Sequence, residues 1–211
     1  MKKLEDRVKD ALATESQAYT DDYFKTVLEN IHRIDEKFHR AILLLIFSVA
    51  MYELAAHTWI TEVTLGPFKL SNLALLQKYI PIVVSYAYCA ITSLGTLRKY
   101  MRHLIVDVMS IHHQSTVTND LEMFIVPPSL LQTSEIVSTF SEGVIPKILR
   151  VIMGILTLSL LTGPIAFLVH SFYQCFVIFG FRDVNLWISA FLSLVLVLQG
   201  ILVFAHYVRD M

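Results

Sequence analysis

The chain reads as an all-α integral membrane protein with four transmembrane helices and cytosolic helical extensions. Three observations carry that reading. Of 211 residues, 55% are hydrophobic and only 17% charged, against about 25% charged in a typical soluble domain. The apolar residues gather in four stretches, 41–60, 79–97, 151–169 and 187–207, and Glu53 is the one Asp, Glu, Lys or Arg inside them. Each stretch has about the 20 residues needed to cross a hydrocarbon core roughly 30 Å thick. A segment in lipid must satisfy its own backbone, so the stretches are expected to be helices. Residues 41–47 and 192–198 lack the in/out alternation of a barrel strand.

The basic residues set the orientation. Fourteen of the 17 Lys and Arg fall before the first stretch, between the second and third, or after the fourth; Lys69, Lys78 and Arg182 fall on the other side. Both termini are therefore expected in the cytoplasm, in a bacterial inner (plasma) membrane, with the first span serving as an uncleaved anchor. The net charge of −1 gives no electrostatic case for a nucleic-acid partner. Cys89 and Cys175 belong to no C-x-x-C pair and read as core thiols.

The organisation follows in order. Residues 1–40 form cytosolic helices. Leu4, Val8 and Leu12 make one narrow stripe. Thr20, Asp21 and Asp22 suit the cap and acidic first turn of a second helix. In that helix Phe24, Val27, Ile31, Ile34 and Phe38 recur at 3-4 spacing, and the phase continues through Ala41 and Leu45 into the first span. One long helix is expected. Its stripe could meet a second subunit, as an oligomer and coupling helix, or the chain's own cytosolic connection. Residues 41–97 hold the first two spans. Their outer loop, 61–78, carries Gly66-Pro67 as a turn, with Leu70, Leu73, Leu75 and Leu76 suggesting a short interfacial helix.

Residues 98–147 are too long for a plain loop. Leu104, Ile105, Val108 and Ile111 extend the second span as far as His112. Pro127-Pro128 is a breaker, and Ile136, Val137 and Phe140 suggest a short amphipathic helix. Residues 148–207 hold the last two spans, with Pro146 suiting the first turn of the third. Apolar character there runs on to Phe181 with Gly163-Pro164 in the middle, which predicts a kink or a break. The aromatic outer segment, 171–186, suits a membrane interface. Residues 208–211 are a cytosolic tail.

Glu53 is the leading candidate for chemistry, because an ionisable side chain in a span is a functional candidate by default. His57 lies one turn on, and His170 ends the third stretch at a similar depth. The three suit ion or proton handling, or else Glu53 is held by a neighbouring helix and the histidines are interfacial. Ser85, Cys89 or Tyr88, Thr92 and Thr96 form a polar stripe on the second span, which suits close helix packing or a wet pore. Ser189, Ser193, Gln199 and Gly200 form a weaker one on the fourth, with Gln199 a candidate interhelical hydrogen bond. The basic group Arg98, Lys99 and Arg102 suits headgroup anchoring. His103, Asp107, His112 and His113 supply too few well-placed ligands for a zinc shell, so no metal site is assigned.

Catalytic signatures are absent, so no catalytic residue, enzyme activity or cofactor is expected. The plan of four spans with a cytosolic layer resembles, in architecture alone, small four-span subunits of bacterial anti-phage systems. Four spans with one glutamate in the first also resembles small multidrug exporters, which are far shorter and lack the cytosolic layer. The expected function is an oligomeric sensor, signalling or ion-conducting subunit coupled to a cytosolic protein partner. The alternative is a proton- or cation-coupled transporter of small solutes centred on Glu53 and His57.

Overall fold

Apolar residues at alternating spacings of four and three draw the first helix. In the computed structural model, which describes residues 17–57, 63–65, 68–70, 73–112 and 144–210, α1 runs unbroken over Gln17–Ala56. Its buried stripe is Val27, Ile31, Ile34, Phe38, Ala41, Leu45, Ser48, Tyr52 and Ala55. That is a strict 3.5-residue repeat, which keeps one seam of a helix facing its neighbours over many turns. Thr20 does not cap α1, because the helix already runs through Gln17–Thr20. Gln and Ala are good helix formers, so nothing before Thr20 stops the helix.

A three-residue antiparallel pair follows, β1 (Val63–Leu65) with β2 (Phe68–Leu70), in the register Val63↔Leu70 and Leu65↔Phe68. The interfacial helix expected here is not a separate element. Leu70 ends β2, while Leu73, Leu75 and Leu76 are already the first turn of α2, Leu73–His112. The apolar run needs no break before the span, so the helix starts early. The helix α3 covers Val144–Phe179 and passes through Gly163-Pro164 as one element, so the expected break is absent. Pro164 has no N–H for the Leu160 carbonyl four residues earlier, yet the helix continues on both sides of it, as apolar helices carrying Pro do. The last helix, α4, covers Val184–Asp210. All four helices are long and apolar enough to cross a membrane. The stripe at Leu4, Val8 and Leu12, the turn at Gly66-Pro67 and the elements expected within 113–143 lie outside the described residues.

The chain divides into two compact units. The first draws on Met1–Lys37 and Leu94–Thr157. Its core is Val27, Ile31 and Ile105, with Tyr23, Phe24, Leu28 and Met101 packed against it. Burial of each large aliphatic side chain contributes about 1.5–3 kcal/mol. The lower part of the α1 stripe is thus covered by α2 of the same chain, and covering it requires no second subunit. Beside this core Arg98 clasps Asp35 in a two-pronged ion pair, Nε on Oδ1 and Nη2 on Oδ2 at 3.3 Å, with 7% and 13% of the two side chains exposed. The guanidinium fork matches a carboxylate in this geometry.

The second unit draws on Phe38–Ser93 and Leu158–Met211. Here α4 meets α2 at Ser189 and Gly200; Leu186 and Ser193, at the same helical spacing, are buried with them. A Cβ on Gly200 would stand 2.7 Å from Thr92 Oγ1 and 3.3 Å from Cys89 Cα, so glycine lets the two backbones approach. Elsewhere α3 and α4 expose large apolar side chains, including Val169, Val177, Phe191 and Leu202 at 65–69%.

Two outcomes follow for detergent-solubilised protein. Arg98→Ala strands a buried carboxylate and should destabilise by about 3–5 kcal/mol. The double change to Leu at Asp35 and Arg98 should recover most of that loss; thermal unfolding of the three proteins checks it. Gly200→Val should cost about 1–3 kcal/mol by pushing α4 off α2, where Phe191→Val, on the exposed face, should leave the midpoint unchanged.

Candidate functional site

The polar groups of the second unit concentrate at one end of it, around a proline. Pro81 lies inside α2 and is fully buried. It has no N–H for the Gln77 carbonyl four residues earlier, and its ring disturbs that turn. Two neighbouring helices donate into this turn. The Cys175 thiol on α3 donates to the Gln77 carbonyl at 3.5 Å, and the Ser189 hydroxyl on α4 donates to the Lys78 carbonyl at 2.6 Å. Ser85, one turn on, donates to the Pro81 carbonyl at 2.8 Å.

Around these bonds the helix ends are tied. The Gln77 side-chain amide donates to the Ala55 carbonyl at 2.9 Å, satisfying an acceptor in the last turn of α1. Tyr52, 1% exposed, donates to the Ser171 carbonyl at 3.0 Å, lies 3.7 Å from Cys175 Sγ and meets the Phe167 ring edge-on at 5.1 Å. Between α3 and α4, Gly180 takes a left-handed φ of 80° that glycine adopts without penalty. Asp183 then serves two helices. Its Oδ1 accepts from the Asn185 and Leu186 amides at 3.0 and 3.3 Å, capping α4, while its Oδ2 pairs with Lys78 of α2. The Lys78 ammonium also stands 4.4 Å from the Phe179 ring centroid. The hydrogen bond from Lys78, helped by the two amides, holds the Asp183 carboxyl below its ordinary range.

The residues singled out from spacing are placed differently. Glu53 and His57 are in contact, Oε2 to Nε2 3.5 Å, on the outward face of α1, with 43% and 57% of their side chains exposed. His170 does not join them: it is exposed and pairs with Gln174 on its own helix at 2.9 Å. Among the described residues no three His, Cys, Asp or Glu converge on a metal position. Glu53 and His170 each sit about 100° round their helices from the buried Tyr52–Ser171 contact, with Glu53 half-exposed and His170 exposed, so similar depth does not bring them together.

Ser85, Cys89 and Thr92 are buried and Thr96 is half-buried. Thr92 bonds the Tyr88 and Cys89 carbonyls of its own helix at 3.1 and 3.0 Å. Tyr88, Cys89 and Thr92 of this stripe form the surface on which Gly200 of α4 packs. Ser193 is 2% exposed, and its hydroxyl has no partner among the described residues. Gln199 is exposed, so the interhelical bond expected of it is absent; its neighbour Gly200 takes the inward position. His103 is exposed. The Asp107 and His112 side chains, and all of His113, lie outside the description. Cys89 and Cys175 are free thiols.

Spacing therefore misses Tyr52, Gln77, Lys78, Ser171, Cys175 and Asp183. Two signals point to some of them: a proline inside a span demands outside donors near it, and an aspartate just before an apolar helix is a cap. Chemically the arrangement is a fastening. The hydroxyls, the thiol and the Gln77 amide are occupied by backbone carbonyls, a role that requires no substrate.

The fastening makes a testable cycle. Cys175→Val should destabilise by about 1 kcal/mol, and Cys175→Ser by less, since the hydroxyl keeps a donor. With Pro81→Ala, α2 regains its own donor, and Cys175→Val should then cost less than in the parent. For pH, a lowered carboxyl contributes its full stabilisation above about 4, the unfolded value. The contribution is lost as pH falls through the folded value. The unfolding temperature of the parent should therefore fall more steeply below pH 4 than that of Asp183→Asn, measured side by side.

No protein-family model, curated protein or solved structure matches the chain.

Proposed function

We propose that the protein is a signal-coupling subunit of a membrane, self-associating and working with a cytosolic protein partner. In this reading the four apolar helices cross a bacterial inner membrane with both termini in the cytoplasm, and residues 1–40 and 98–147 form the cytosolic layer. One observation carries it: α1 holds a single buried 3.5-residue stripe from Val27 to Ala55, so one continuous helix contributes to both units. A tilt or rotation imposed on such a helix at one end is felt at the other. The exposed apolar surface of α3 and α4 suits a hydrocarbon surround. Coupling is favoured over conduction because the hydroxyl stripe of α2 is spent on its own backbone and on Gly200 packing.

The rival reading is proton- or cation-coupled transport of a small solute on Glu53 and His57. It is supported by their contact. The outward placement of both side chains leaves it without a route through the interior of one chain.

Hydrogen exchange in lipid nanodiscs tests the coupling. Lys78→Gln loosens the second unit at its clasp. It should raise amide exchange at residues 21–37 and 94–106 of the first unit as well. A one-residue insertion between Arg40 and Leu43 turns the stripe by about 100° and should abolish that transmitted effect. Changes confined to residues around Lys78 and Asp183 would sink the proposal. Proton flux in proteoliposomes that disappears on Glu53→Gln would favour the transporter instead.

A further inference from the structure

The outward face of α1 differs from that of α4 in a way that bears on what covers it. On α1 this face runs through Arg40, Leu43, Ile46, Phe47 and Ala50 to Glu53 and His57. Leu43, Ile46 and Phe47 are 59–66% exposed. From Arg40 to Glu53 the helix rises only about 20 Å. The uncharged stretch of α4, Val184–His206, has 23 residues and rises about 35 Å. A hydrocarbon core is about 30 Å thick. Side chains on a helix lean toward its N-terminus. Arg40 therefore leans away from the apolar band and can reach an interface, while Glu53 leans into the band. Snorkelling relieves the mismatch at one end only. A short apolar face is accommodated by thinning the bilayer or by self-association.

Charge decides between these. Glu53 and His57 place an acid and a base one turn apart on the same exposed face, 3.5 Å from each other. Two copies inserted with the same orientation are related by a two-fold axis along the membrane normal. Such an axis makes contacts reciprocal. Across this axis the Glu53 of each copy stands one helical turn, about 6 Å, from the level of His57 of the other, within reach of a side chain leaning across the seam. Ala50, one turn below Glu53, is small enough for close helix approach.

We infer that the α1 face formed by Leu43, Ile46, Ala50, Glu53 and His57 is the contact surface for a second copy of this chain. The two α1 helices run parallel, and the acid–base pairs interlock across the two-fold axis. The inference rests on the membrane placement and self-association proposed above, and it names the surface that performs the association.

Disulfide trapping of the full-length protein in phosphatidylcholine vesicles tests it. The background is Cys89→Ala with Cys175→Ser, which keeps a hydroxyl donor opposite Gln77. Copper-phenanthroline should trap dimers with Ala50→Cys and not with Phe191→Cys on the exposed face of α4. In the Ala50→Cys protein, Glu53→His and His57→Glu introduced singly should each reduce trapping several-fold. The swapped pair, Glu53→His with His57→Glu, should restore it, which a loss of folding would not do. Circular dichroism confirms that every variant is equally helical. Dimers through Phe191→Cys with none through Ala50→Cys would overturn the assigned surface while leaving self-association in place. Trapping at neither position would overturn both, and the exchange experiment reads the coupling separately. Trapping at Ala50→Cys that ignores all three charge variants would overturn the interlocked pairs.

Discussion

Pro81 imposes the constraint on which the packing of the second unit depends. It sits within a 40-residue helix and leaves the Gln77 carbonyl without its usual donor. In an apolar surround an unsatisfied carbonyl is a heavy penalty. The relief comes from α3 through Cys175 and from α4 through Ser189 next door. A defect in one helix thereby specifies which two helices stand beside it, and at which height. Hydrophobic packing between apolar helices carries little such information, because lipid tails are as apolar as leucine. Here position is conveyed by polar groups with one partner each.

The first unit solves a different problem with a different device. Val27, Ile31 and Ile105 supply burial, and the Arg98–Asp35 fork fixes register. A buried pair of this kind need not exceed hydrophobic residues of the same volume in stability. Its value lies in direction, since a planar guanidinium accepts a carboxylate at one angle and one distance. Because α1 and α2 each contribute to both units, each helix is indexed in both, by salt bridge in one and by the proline clasp in the other.

Much of this architecture is legible from residue order. Four apolar runs announce four long helices, and the spacing from Phe24 to Leu45 announces an unbroken α1. The stripe's continuation through Ser48 and Tyr52 is not announced, because polar-tipped residues read as breaks in an apolar pattern. Depth along a helix can be counted in sequence, whereas azimuth between helices cannot; that is why His170 and Gln199 turn outward instead of meeting the partners their depth suggests. The clasp is hidden for the same reason. Its members come from four helices, and nothing local marks Cys175 as the donor for a carbonyl 98 positions earlier. Only Pro81 and Asp183 carry a local sign, one by what it lacks and the other by what it caps.

The order of the clasp's parts along the chain has a consequence for biosynthesis. Chains emerge N-terminus first, so α2 is complete before either of the side chains that relieve it exists. A nascent chain ending after α2 carries Pro81 with the Gln77 carbonyl lacking its donor, and Lys78 without Asp183. Such a nascent chain is chemically unfinished until the later segments arrive. Cys175 comes first, then Asp183 and Ser189 close together, the latter two bracketing the start of α4. The clasp is thus closed last by one short stretch of chain that caps its own helix, neutralises the lysine and covers the Lys78 carbonyl.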